Sequence, residues 1–177
     1  MKLTKEDELK GLMRVFPQGV TVITTSHRRK LHGVTVSSFA SVSLKPPLVL
    51  VSLSKETPSH LALTESEHFT VNLLASNQAQ VSERFAGRSG SQSDKFEGIG
   101  YGIGSNGCPV LNGSSGFIEC SKWGTYDGGD HTLILGEVTN AEAREELLPL
   151  IYYKRQYTTV LLPSLEESAH ESLLGEW

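Results

Sequence analysis

Apolar and polar positions follow two periods along this chain, and the shorter one dominates. Near the start, Leu9, Leu12, Met13 and Phe16 fall at i, i+3, i+4 and i+7, one face of a helix. Thr4 is placed to cap that helix, Glu6 and Asp7 suit its first turn, and Pro17 ends it. The spacing predicts a helix over 4–16. Beyond it GVTVITT (19–25) is a β-branched run, Ser26-His27-Arg28-Arg29-Lys30 a polar turn, and 31–39 the return. That is the pattern of a hairpin.

After the Pro pair at 46–47, Leu48 to Leu53 form a short apolar run of the kind seen in buried strands. Thr57 before Pro58 predicts a helix start, a hydroxyl cap followed by Pro at the first helical position. FTVNLL (69–74) predicts another strand, and 77–85 a short helix with Val81 and Phe85 on one face. GRSGSQS (87–93) reads as a polar loop, and 98–107 as a glycine-rich irregular stretch. Two long strands, 115–126 and 131–139, flank a tight Asp127-Gly128-Gly129-Asp130 turn, and 150–153 is a further strand-like piece. The acidic tail from Ser164 reads as a loose terminal helix. Many strands, few helices and short hairpins imply a mainly β, antiparallel barrel rather than a parallel α/β sheet.

A length of 177 residues suits one domain with a sizeable core. A net charge of −4 without a basic block argues against nucleic acid as a partner. No apolar run approaches a membrane span. The first residues, MKLTKEDELK, are too charged for a secretory signal, so a cytoplasmic protein is expected. Cys108 and Cys120 show neither metal-ligand spacing nor a disulfide framework, and read as buried reduced thiols.

Chemistry concentrates in 33–53, where Thr35, Ser37, Ser38 and Ser41 stand among small and apolar residues. Buried hydroxyls need partners, supplied either by the backbone or by a polar ligand. Ser54, Lys55, Thr57 and Ser59 crowd the predicted helix start, either as an ordinary cap or as an anion site. Arg84 is either a solvated helix-end charge or a phosphate or ring contact. GIGYGIG (98–104) lacks the strand before and the helix after that a dinucleotide fingerprint requires.

Seven separated segments then stand in a recognisable order: FPQGVTVITT, GVTVSSFASVSLKPPLVLVSL, FTVNLL, RFAG followed by DKFEG, CPVLNGSSGFIEC, GGDHTLILGEV and PLIYYKRQY. In these, over roughly residues 8–160, the chain resembles the flavin reductase-like family, small reductase components of two-component flavin-dependent monooxygenases. The resemblance implies an FMN-binding split β-barrel over 1–163, a homodimer, with 164–177 as a tail outside it. It implies hydride transfer from NADH or NADPH to FMN or FAD, with reduced flavin passed to a partner monooxygenase. Two other readings remain: a flavin carrier or sensor without reductase activity, and a relative that passes electrons from bound FMN to another acceptor, such as a corrinoid.

The resemblance also distributes roles. Val34, Thr35, Val36, Ser37 and Ser38 face the isoalloxazine and ribityl chain. Ser52, Leu53 and Ser54 lie by the pyrimidine side, Lys55 and Ser59 by the 5′-phosphate, and Arg84 and Phe85 close the far end. His131, with Asp130 orienting it, is the catalytic candidate on the nicotinamide side. Tyr152, Tyr153, Lys154 and Arg155 lie by the nicotinamide dinucleotide, the alternative being a barrel strand with solvated charges. The cofactors carry this chemistry and the protein aligns them, so neither an acid–base pair nor a metal is expected.

Overall fold

The structure, a computed structural model, describes residues 3–87 and 94–161. The elements in chain order are α1 (Lys5–Met13), β1 (Gln18–Gly19), β2 (Thr21–His27), β3 (Lys30–Val36), β4 (Phe39–Leu44) and β5 (Pro47–Ser54). Then come α2 (His60–Glu65), β6 (His68–Leu73), α3 (Ala79–Phe85), β7 (Tyr101–Ile103) and β8 (Pro109–Leu111). The chain ends with β9 (Gly116–Gly128), β10 (His131–Ala143), β11 (Ile151–Tyr153) and β12 (Gln156–Thr158).

A seven-stranded antiparallel sheet runs β3-β2-β6-β9-β10-β5-β4. Its two ends return towards each other. Val34 of β3 shares one core with Val49, Val51 and Leu53 of β5, while the Ser52 N–H, donating to the Ser38 carbonyl at 3.4 Å, continues the β4–β5 pairing towards the end of β5. The result is a split barrel with a seam between β3 and β5. A smaller sheet runs β1-β11-β12, and its Tyr152 and Tyr157 pack on the same cluster as Phe85 of α3. Val22, Leu74, Phe85, Phe96, Leu111 and Leu150 form a second core there. Val22 and Ile23 serve the two different cores, as neighbours on a strand should. Residues 21–25 of β2 are buried throughout, which explains the unbroken β-branched run in the sequence.

Four expectations change. α1 forms with Thr4 and Asp7 closing a capping box, but it stops at Met13 and buries none of its residues. Leu9, Leu12 and Phe16 are 59%, 64% and 58% exposed, so the predicted apolar face covers no core in this chain. α2 begins at His60, with Ser59 before it, rather than at Thr57. Thr57 instead sits in a turn, its N–H donating to the Ser54 carbonyl. The stretch 98–107 contains β7, paired with β8. In the β9–β10 hairpin, Asp127 and Gly128 extend the strand, because His131 pairs with Gly128. Residues 88–93 of the polar loop and the tail 164–177 lie outside the described residues.

Candidate functional site

The groove forms where β3 is an edge. The Gly33 carbonyl faces away from β2 and accepts from Ser59 Oγ at 3.1 Å and Lys95 Nζ at 3.4 Å. Burial lowers the pKa of Lys95, whose ammonium also caps the end of α3 through the Phe85 carbonyl at 2.8 Å. Main-chain groups alternate sides along a strand, so those of Thr35 face the same open side as Gly33. The hydroxyls are partnered by protein. Thr35 Oγ1 donates to the Ser82 carbonyl at 2.7 Å, Ser37 Oγ to Gln18 Oε1 at 3.1 Å, and Ser38 Oγ to the Ser52 carbonyl at 2.5 Å. Backbone and Gln18 thus answer the question the sequence left open for these side chains. What the segment offers outwards is its main chain.

Across the seam, β5 aligns with β10: Ser52 opposite Leu133, Leu53 opposite Thr132, Ser54 opposite His131. This places Ser38, Ser52, Ser54 and His131 along one run of the sheet. The Leu53 side chain is buried, which leaves only its main chain for contacts. His131 Nδ1 meets Asp130 Oδ1 at 2.7 Å, and that hydrogen bond holds the Asp130 carboxyl below its usual pKa. Lys55 Nζ lies 2.6 Å from both Asp127 Oδ1 and the Gly129 carbonyl, and its hydrogen bond likewise lowers Asp127. Lys55 therefore braces the turn that carries His131. Ser59 is buried with its hydroxyl donating to the Gly33 carbonyl.

On the other side, the β11–β12 turn brings in aromatic rings and cations. Tyr152 opposes Tyr157, with ring centroids 5.4 Å apart. Lys154 Nζ sits 5.2 Å from the Tyr153 ring. The Lys154 N–H donates to the Arg14 carbonyl at 2.9 Å, which ties the end of α1 to this hairpin. Tyr157 was not singled out in the sequence, yet its hydroxyl donates to Glu83 Oε1 at 2.7 Å and meets Ser82 Oγ at 2.9 Å. A two-residue turn at Lys154-Arg155 fixes Tyr152 opposite Tyr157; that pairing was available in the sequence.

Two depressions result. One, about 130 Å³, is lined by Val20, Thr35, Val36, Ser37, Ser82, Ala86, Tyr152 and Tyr157. The other, about 290 Å³, is lined by Lys10, Met13, Arg14, Gln18, Ser37, Tyr152, Lys154 and Arg155. Ser37 and Tyr152 belong to both. Separately each is smaller than a typical ligand pocket of roughly 300–1,000 Å³; joined, they reach that range. At the rim of the groove the Glu6 carboxylate, hydrogen-bonded to Lys10, holds the Lys10 ammonium above its usual pKa. Arg84 donates to the Glu97 carbonyl and lines a separate hollow with Val81, Gly98 and Tyr157. Phe85 is fully buried against Phe96. Its ring supports β3 from beneath, where a Cβ on Gly33 would lie 2.4 Å from it.

Fold and groove together define a class: a small antiparallel split barrel whose open edge meets an aromatic and basic cleft. A model of the flavin reductase like domain matches residues 13–161. The reductase subunit HsaB of a flavin-dependent monooxygenase from Rhodococcus jostii (strain RHA1) is 40% identical over 145 residues, 82% of this chain and 73% of that protein. The FMN reductase (NADH) SmoA from Agrobacterium fabrum (strain C58 / ATCC 33970) is 40% identical over 136 residues, 77% and 76% of the two chains. The solved NADH:FAD oxidoreductase SgcE6 of Streptomyces globisporus C-1027, in complex with NAD and FAD fragments, superposes with a TM-score of 0.83 at 31% identity. That superposition covers 93% of this chain and 99% of the other. The chain belongs to the flavin reductase-like family.

Proposed function

We propose that this protein is an NAD(P)H:flavin oxidoreductase that reduces FMN, or FAD, for a partner monooxygenase. The observation that carries the reading is the open edge of β3, with its groups at Thr35 turned outwards beside the rings and cations of the groove. Relatives named as an FMN reductase (NADH) and as a monooxygenase reductase subunit support it. Flavin, when bound, supplies the two-electron acceptor for a hydride from the nicotinamide. The donor set fits such a ring: neutral main-chain amides answer its carbonyls and ring nitrogens and favour the charge that reduction places on it.

The chain's own groups have separate tasks. Thr35, Ser37 and Ser38 with Ser52, Leu53 and Ser54 present the flavin edge, Ser37 being held by Gln18 and Ser38 by Ser52, and Val34 and Val36, paired with β2, back that edge. Lys55 keeps the β9–β10 turn in place, and Asp130 orients His131 towards the nicotinamide side. Tyr152, Tyr153, Lys154 and Arg155 receive the dinucleotide. Arg84, held by the Glu97 carbonyl, would reach the far end of the flavin only from its own hollow, and Phe85 acts by packing.

Residues 1–163 form the catalytic domain, with 164–177 as a tail. A homodimer is supported by the uncovered apolar side chains of α1 and by exposed Val42 and Leu44 on the edge strand β4; sedimentation equilibrium tests it. Among the described residues no helix is long and apolar enough to cross a membrane, and the protein is read as cytoplasmic. Stopped-flow mixing with FMN or FAD and NADH or NADPH tests the activity. Reduction at the uncatalysed rate with every pair refutes it, and flavin that binds without being reduced identifies a carrier instead.

A further inference from the structure

The cleft between α1 and the β11–β12 hairpin gathers cations from two distant parts of the chain. Lys10 and Arg14 reach it from the helix, Lys154 and Arg155 from the turn. Lys10 pairs with Glu6; among the described residues no carboxylate pairs with Arg14, Lys154 or Arg155. The chain as a whole is acidic, with a net charge of −4. Converging like charges repel unless an anion joins them. The cleft shares Ser37 and Tyr152 with the hollow beside the flavin segment, so an anion held here would belong to a ligand that continues towards that segment.

We propose that this cleft binds the phosphates of the nicotinamide dinucleotide and recognises a 2′-phosphate, so that the enzyme prefers NADPH to NADH. This rests on the reductase reading of the groove. The pyrophosphate alone carries fewer charges than the cleft can answer. A 2′-phosphomonoester adds about −1.5 to −2 near neutral pH, as other phosphomonoesters do. Arg14 and Arg155 offer planar guanidinium forks that suit phosphate oxygens, and the Tyr152 ring offers a face for a base. Lys10 and Arg14 thereby become specificity residues on a helix that otherwise contributes no side chain to the core.

The test separates this proposal from the activity itself. Calorimetric titration of the full chain with 2′,5′-ADP and with 5′-AMP needs no turnover. Binding of 2′,5′-ADP should be about tenfold tighter or more, and that advantage should shrink with added salt. Arg14→Ala and Arg155→Ala should each remove most of it, and should lower kcat/KM for NADPH more than for NADH. Equal affinities for the two fragments overturn the proposal, as does 2′,5′-ADP binding that neither variant weakens. Riboflavin and FMN identify the other source of a phosphate: variants that weaken FMN against riboflavin as much as they weaken 2′,5′-ADP would assign the cleft to the flavin phosphate and overturn it. Selective 2′,5′-ADP binding in a protein that reduces no flavin would sustain the phosphate site and sink the reductase reading alone.

Discussion

Gly33→Ala tests whether the flavin strand is seated on the aromatic pair beneath it. The new Cβ would lie 2.4 Å from Phe85 Cε1, 2.6 Å from Cδ1 and 3.4 Å from Phe96 Cζ. Phe85 has no exposed surface to retreat into, and Phe96 stands edge-on against it at 5.0 Å. Either the ring leaves its rotamer or β3 moves outwards, an overpacking cost of about 1–3 kcal/mol. At roughly 2–4 °C per kcal/mol for a chain of this size, the melting temperature should fall by about 2–12 °C. Outward movement also displaces Thr35, so FMN affinity, read by fluorescence quenching, should fall in the same variant. Phe85→Leu makes room at the cost of a void. The double variant should therefore be more stable than the two single losses predict, by about 0.5–3 kcal/mol of coupling. A Gly33→Ala protein that melts within about 1 °C of wild type, or strictly additive losses, would refute the reasoning.

Three further outcomes are expected. His131→Ala should raise the KM for NAD(P)H several-fold and leave the FMN dissociation constant nearly unchanged; an equal loss of both would make His131 a scaffold residue. Burial pushes the Glu119 carboxyl up, but hydrogen bonds from Asn140, Ser105 and Asn106 outweigh this and hold it below its usual 4.5. Its contribution is therefore present above the unfolded pKa and lost as pH falls through the folded one, so the deficit of Glu119→Gln in urea unfolding, about 1–3 kcal/mol near neutrality, should shrink in acid; a deficit that stays constant with pH counts against this. Burial, helped by Cys108 and Glu119, pushes Cys120 up to about 12, and burial raises Cys108 as well. Native protein should resist iodoacetamide at mildly alkaline pH and react at both thiols once unfolded; rapid labelling of the native state would contradict the buried geometry.

The hairpins were legible because their signals are local. β2 is buried on both faces, and a two-residue Arg28-Arg29 turn at φ 49° and 63° joins it to β3. α1 was legible as an amphipathic helix, yet its pattern says nothing about what lies against the apolar side. The Thr57 cap was a local rule overruled from a distance: the next hydroxyl, on Ser59, is turned inwards to a carbonyl 26 residues away. Within the site, the cluster of hydroxyls could be read but their partners could not, since Gln18, Ser52 and Ser82 come from different elements. Glu119 left a signal that went unused, a carboxylate between Ile118 and Cys120 in an apolar strand. In the structure it fastens the 105–106 loop to β9. Spacing also could not show that α1 and the β11–β12 turn face each other across a cleft, because that meeting depends on how the small sheet packs.

At the seam between β3 and β5, stability and ligand access draw on the same main-chain groups. An amide can bond to a neighbouring strand or to a visiting ring, and the two are rivals for the same hydrogen. Substitutions that lengthen the pairing there would close the barrel, raise its melting temperature and shut out the ligand together. Sturdier versions of this enzyme must find their extra stability elsewhere in the chain, with the gap left ajar.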